Sequence, residues 1–115
     1  MTSTADALLV LTTLPDAASA RALATTLVAE RLAACVNVLT PCESVYRWRD
    51  EVENATETPL LIKTTRSRYA ALEAAVQAAH PYELPELIAV PVACGLAGYL
   101  DWVADSTAPI APDAK

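Results

Sequence analysis

Residues 33–65 hold two β-rich runs around a polar tip, and their length restricts the fold more than any other feature. Residues 33–48 (AACVNVLTPCESVYRW) have strand chemistry with partial alternation. Arg49 to Asn54 (RDEVEN) reads as the tip, and Thr56 to Thr65 (TETPLLIKTT) as the returning strand. Proline cannot donate a ladder hydrogen bond, so Pro41 and Pro59 each imply an edge position or a bulge. Such arms exceed the usual strand of roughly 5–6 residues. They overhang any core that 115 residues can build, and an overhang needs a partner.

The flanking segments supply the layers. Ala7 to Thr13 (ALLVLTT) is a short apolar run, which predicts a buried strand. Leu14-Pro15-Asp16 opens a helix to about Glu30, with Ala20, Leu23, Ala24, Leu27 and Val28 on its apolar face. Ser67 is the expected cap of a second helix, with Tyr69, Leu72, Val76 and Ala79 as its buried stripe. Pro81 stops that helix, because proline disfavours helical geometry in the residue before it, His80. Leu87 to Val92 predicts a fourth strand, Gly95 breaks it, and Leu96 to Ala104 predicts a closing helix with Tyr99 and Trp102. Residues 107–115 (TAPIAPDAK) read as a frayed tail. The class is α+β. One domain over 1–115 is expected: a ferredoxin-like βαββαβ subunit with a long hairpin between its second and third strands and a C-terminal helix.

Hydrophobic residues make up 54% and charged residues 19%, which excludes a disordered chain. The net charge of -6 makes phosphate backbones poor partners and favours cations. A mean hydropathy of +0.30 on so short a chain implies apolar residues left outside the core, for which a subunit interface is the natural cover. The cysteines, Cys35, Cys42 and Cys94, are odd in number, which argues against a disulfide scaffold. The N-terminus has no basic region ahead of its apolar run, and the longest uncharged stretch, Leu87 to Leu100, is too short to cross a bilayer. A soluble cytoplasmic protein with no membrane partner is expected.

Most catalytic signatures are missing. The only glycines, Gly95 and Gly98, make neither a phosphate loop nor a nucleophile elbow, so no enzyme is expected. The densest polar segment is His80-Pro-Tyr-Glu-Leu-Pro-Glu86, stiffened by its prolines and placed at a helix C-terminus that favours an imidazolium. Cys35 and Cys42 are seven apart, so on a regular strand they point to opposite faces unless a bulge at Pro41 shifts the phase. Tyr46, Arg47, Trp48 and Arg49 have the composition of an interface centre. Lys63, set among Leu60, Leu61, Ile62 and Thr64, calls for a carboxylate partner or a cleft.

The stretches RLAACVNVL (31–39), SVYRWRDEVE (44–53), LLIKTTRSRY (60–69), HPYELPELIAVPV (80–92) and GYLDWV (98–103) resemble the CutA family of divalent-cation tolerance proteins. That resemblance implies a ferredoxin-like subunit in a homotrimer and an association with divalent metal, Cu(II) foremost. Family metal ligands match His80 and Glu86, while Thr12 stands where some members carry a cysteine. Cys35 is a further candidate ligand if folding brings it near His80. Lys63, Tyr82 and Glu83 match positions that line an intersubunit cleft, and Tyr46 and Trp48 match interface positions. The alternative is a PII-like signalling trimer that binds an anionic small ligand in those clefts through Lys63, Arg66 and Arg68.

Overall fold

A computed structural model of the chain describes residues 6–110. The elements are β1 (Ala7–Leu14), α1 (Ala17–Ala29), β2 (Cys35–Val38), β3 (Cys42–Trp48), β4 (Glu51–Thr65), α2 (Tyr69–Ala79), β5 (Ile88–Pro91) and α3 (Ala97–Thr107). The sheet order is β2-β4-β1-β5, with β3 paired to the first half of β4 and every pairing antiparallel. The architecture is the expected α+β, ferredoxin-like one.

Alternation places the core. Leu8, Val10, Thr12 and Leu14 of β1 face the same side as Thr58, Leu60, Ile62 and Thr64 of β4, and all eight are buried. Leu23 and Leu27 of α1 and Leu72 and Val76 of α2 join that cluster. Each such aliphatic side chain contributes about 1.5–3 kcal/mol through burial. Thr64 satisfies its hydroxyl by donating to the Leu32 carbonyl at 2.6 Å.

Among the described residues, the other face is covered only at one end. There α3 packs against β4 and β1, and Ala7 and its register partner Thr65 are buried. Further along, Leu9, Leu11 and Leu61 are only half-buried. Their neighbours on β5, Ile88 beside Leu11 and Val90 beside Leu9, are 53% and 47% exposed. Among the described residues, nothing forms a layer above this apolar sheet surface.

Several local expectations change. The run 33–48 is not one strand: β2 ends at Val38 and β3 begins at Cys42. Val38 pairs with Leu60 and Cys42 with Glu57, so four steps on one side oppose three on the other. That extra residue is the bulge Pro41 implied. Pro59 lies opposite the break and accepts there from the Leu39 N–H at 3.0 Å. The N–H and C=O of a strand residue point the same way, so the missing donor of Pro59 faces a gap rather than a ladder.

The polar tip is also shorter than 49–54. Only Arg49 and Asp50 turn, at φ 51° and 70°, and Glu51 already pairs with Trp48. Left-handed geometry at both central residues is what a two-residue hairpin turn of matching twist requires. The overhang stretches the molecule to 52 Å along its longest axis against 23 Å along its shortest.

At the helices, Asp16 is the N-cap of α1, accepting from the Ser19 N–H at 2.7 Å, so Pro15 lies outside the first turn. That hydrogen bond holds the Asp16 carboxyl below its usual range. Ser67 does not cap α2. It sits in a short 3-10 turn, Arg66–Arg68, sharing a hydroxyl contact with Thr65 instead. Val28 and Ala79 are exposed, because α1 and α2 each bury a narrower stripe than the pattern suggests. Thr107 is the buried last residue of α3, not the start of a tail; the remainder of that expected tail beyond 110 lies outside the described residues.

Candidate functional site

The segment after α2 is strapped across the end of β1. His80 leaves helical geometry at ψ 135°, as a residue before proline must. Its ring is buried, 8% exposed, with Nε2 2.7 Å from the Thr13 carbonyl. A carbonyl only accepts, so Nε2 carries the proton. Nδ1 accepts from the Tyr82 N–H at 3.1 Å. The imidazole is therefore held as the neutral Nε2–H tautomer, and not as the imidazolium that the helix C-terminus suggested. Six residues on, the Thr12 hydroxyl donates to the Glu86 carbonyl at 2.7 Å. Adjacent threonines of β1 thus pin both ends of His80–Glu86.

This strap brings Tyr82 onto a carboxylate that the sequence reading missed. The Tyr82 ring lies 4.7 Å from that of His80, and its hydroxyl donates to Glu57 Oε2 at 2.9 Å. The Thr13 hydroxyl donates to the same oxygen at 3.2 Å. Glu57 is 8% exposed and, among the described residues, has no basic side chain within salt-bridge distance. One signal was available: an acid in the run Thr56–Thr65, whose alternate positions otherwise suit a buried strand.

Burial, reinforced by the hydrogen bond to Glu57 and its charge, pushes the Tyr82 phenol up from 10.0 to about 12. A raised native value means the contribution of this phenol is intact below pH 10 and is lost as pH climbs toward about 12. Tyr82→Phe is accordingly expected to make the alkaline fall in stability shallower across that interval. Urea midpoints measured from about pH 9 to 12 check this; equal slopes in the two proteins would refute it.

The other candidates are scattered. The Glu86 side chain is exposed. Glu83 pairs with Arg49 at 2.9 Å, but both are about 70% exposed, so the pair adds little. Arg49 also lies 5.1 Å over the Trp48 ring. Tyr46 is 43% exposed and sits opposite Glu53 on the hairpin. Among the described residues, Lys63 finds no carboxylate partner. It donates to Asn37 Oδ1 and lies 4.0 Å from Cys35 Sγ. Cys35 is half-exposed, and Cys42 and Cys94 are exposed. The bulge puts Cys35 and Cys42 on the same face, opposite Lys63 and Glu57 respectively. Those partners are six residues apart on β4, roughly 20 Å, so the two thiols do not chelate together.

The residues of one chain do not fit a Cu(II) centre. Both nitrogens of His80 are already hydrogen-bonded, Thr12 is committed to Glu86, and Cys35 contacts Lys63 rather than His80. Among the described residues, no group of three or more His, Cys, Asp or Glu side chains converges as a metal site.

A family model, the CutA1 divalent ion tolerance protein, matches residues 8–106. The chain belongs to the CutA1 divalent ion tolerance family. It is 47% identical over 98 residues to the divalent-cation tolerance protein CutA of Thermus thermophilus, covering 85% of this chain and 95% of that one. It is 40% identical to the chloroplastic CutA of Arabidopsis thaliana over 90% of this chain, which spans 57% of the plant protein. Among solved structures, the divalent cation tolerance protein Cut A1 of Thermus thermophilus superposes with a TM-score of 0.87 at 45% identity, covering 89% of this chain and 99% of that one. CutA1 of Oryza sativa gives 0.87 at 40% identity, covering 92% and 98%. Membership of CutA1 relates the chain to divalent cations. Its helices, among the described residues, include none long and apolar enough to cross a membrane.

Proposed function

We propose that this CutA1 chain acts in the cytoplasm as a non-catalytic homotrimer that contributes to divalent-cation tolerance, and that it binds the cation, Cu(II) foremost, between subunits. The observation that carries the reading is the uncovered apolar sheet face of Leu9, Leu11, Leu61, Ile88 and Val90, bordered by the Glu57–Tyr82–His80 cluster. Apolar surface of this kind is stabilised by burial against another copy. With His80 engaged inside its own chain, the ligands left for a cation are Glu86 and the half-exposed Cys35, and a second subunit is the source of the remainder. Carboxylate oxygen is a donor Cu(II) accepts, whereas thiolate favours Cu(I) and Zn(II), so a Glu86–Cys35 set shared between subunits makes only a weak Cu(II) site. The net charge of -6 per chain supports cation accumulation at that boundary.

Calorimetric titration of Cu(II) and Zn(II) into the reduced protein tests the reading, beside Cys35→Ser and Glu86→Gln. Saturable Cu(II) binding, weakened at least roughly tenfold by one of these substitutions, is the expected result. Absence of saturable binding, or binding unchanged in both variants, overturns the metal assignment and turns attention to an anionic small ligand at Lys63.

A further inference from the structure

Two charges on the uncovered sheet face lack, among the described residues, a partner of opposite sign. Glu57 is a carboxylate buried to 8% exposure whose Oε2 is held by two neutral hydroxyls, those of Tyr82 and Thr13. Lys63 is a half-buried ammonium whose polar neighbours are the Asn37 amide oxygen and the Cys35 sulfur. A charge this far from water is costly unless an opposite charge compensates it. Within one chain the two cannot meet. They are six residues apart on the straight run of β4, which separates them by roughly 20 Å.

Both nevertheless sit on the same side of β4, because their spacing is even, and between them lies half-buried Leu61. The anion stands at the His80–Glu86 end of the face and the cation toward the α3 end. The face therefore carries opposite charges at opposite ends of an apolar strip. Such a strip complements a second copy of this chain that brings its cationic end to the anionic end of the first; in the homotrimer proposed above that contact is heterologous, made between each copy and the next around the ring.

We infer that Glu57 of one copy pairs with Lys63 of the next across the subunit boundary, so that Tyr82 and Thr13 serve to aim the carboxylate at its neighbour. The pair sets which copy end meets which, as electrostatic complementarity does at protein interfaces generally. It rests on the homotrimer proposed above and adds the contact that fixes its register.

The test is a charge exchange read by native mass spectrometry and by light scattering over a dilution series, on Glu57→Lys, Lys63→Glu and the variant carrying both. Each single exchange places like charges together, and the concentration at which the assembly half-dissociates is expected to rise tenfold or more. The double exchange restores the pair and is expected to return most of that loss. Circular dichroism identifies a variant that fails to fold; Glu57→Gln and Lys63→Met, with Glu57→Gln/Lys63→Met, then form the cycle by truncation. A stable native assembly whose two substitutions add without coupling overturns the pairing while leaving the trimer standing. A native chain that is monomeric at every concentration overturns the trimer itself, and the pairing with it.

Discussion

A chain carrying Val90→Glu is expected to run as a 12.2 kDa monomer under conditions where the native chain is expected to run as the proposed trimer. Val90 is on the edge strand β5, pairs with Leu9 and is 47% exposed in the subunit, so a carboxylate there meets water in the isolated chain and leaves its fold intact. In an assembly closed over the apolar face the same carboxylate loses its hydration among aliphatic neighbours, and the cation on that face, Lys63 beyond Leu9, is the one that the inferred pairing commits to Glu57 of the next copy. Stranding an ion this way costs several kcal/mol, roughly, at each interface, and a ring repeats the cost at every boundary. Size-exclusion chromatography with light scattering reads the mass, and Val90→Ala serves as the mild control. An unchanged trimer in Val90→Glu removes this face from the interface.

The second large effect is on stability. His80→Ala deletes an acceptor for the Tyr82 N–H and a donor to the Thr13 carbonyl, both at hydrogen-bonding distance from a buried ring. Two part-buried groups left without partners, with a cavity where the buried ring was, cost about 2–4 kcal/mol. The strap loosens as well, so Tyr82 is no longer pressed onto Glu57. Urea unfolding at fixed protein concentration reads the loss, since assembly makes apparent stability concentration-dependent. Amide exchange of Tyr82 reads the local release. Glu86→Gln is the contrast: its side chain is exposed and only its carbonyl is held, so stability is expected to stay within about 0.5 kcal/mol. Normal stability in His80→Ala together with lost Cu(II) binding would instead make this histidine a ligand.

The two expectations separate roles that one motif conflates. HPYELPE reads as a cluster of ligating side chains because imidazole, phenol and carboxylates crowd into seven residues. In the fold its polar groups mostly hold the segment itself in place. His80 braces β1, Tyr82 reaches Glu57, and Glu83 lies out at the hairpin turn with Arg49. Residue type at a given spacing announces donors and acceptors, but not which of them the protein has already used.

What was legible from residues alone follows the range of the forces involved. Pro81 ended α2 because the clash is with the adjacent residue, and Asp16 could start α1 because its acceptor needs only the N–H three residues on. The apolar run Ala7–Thr13 marked a buried strand, though with Leu8, Leu9, Val10 and Leu11 all apolar it did not mark which side faces the core, and Pro41 marked an edge or a bulge, of which the bulge forms. The overhang was readable too, since the hairpin is longer than the core beneath it.

Ser67 shows the first limit: a hydroxyl suited to a cap was taken instead by Thr65, as the chain entered α2 through a 3-10 turn. Longer-range choices were less readable still. The Glu57–Tyr82 contact joins residues 25 apart and the Thr12–Glu86 contact residues 74 apart, and both depend on where β4 and the strap come to rest against β1. Strand and helix order and the family were thus written in the residues themselves, because they follow from local sterics, periodicity and wording. That His80 is a neutral brace, that Glu57 is buried, and that Lys63 stands beside Asn37 and Cys35 emerged only on folding, because strand register brings together groups that no local pattern connects.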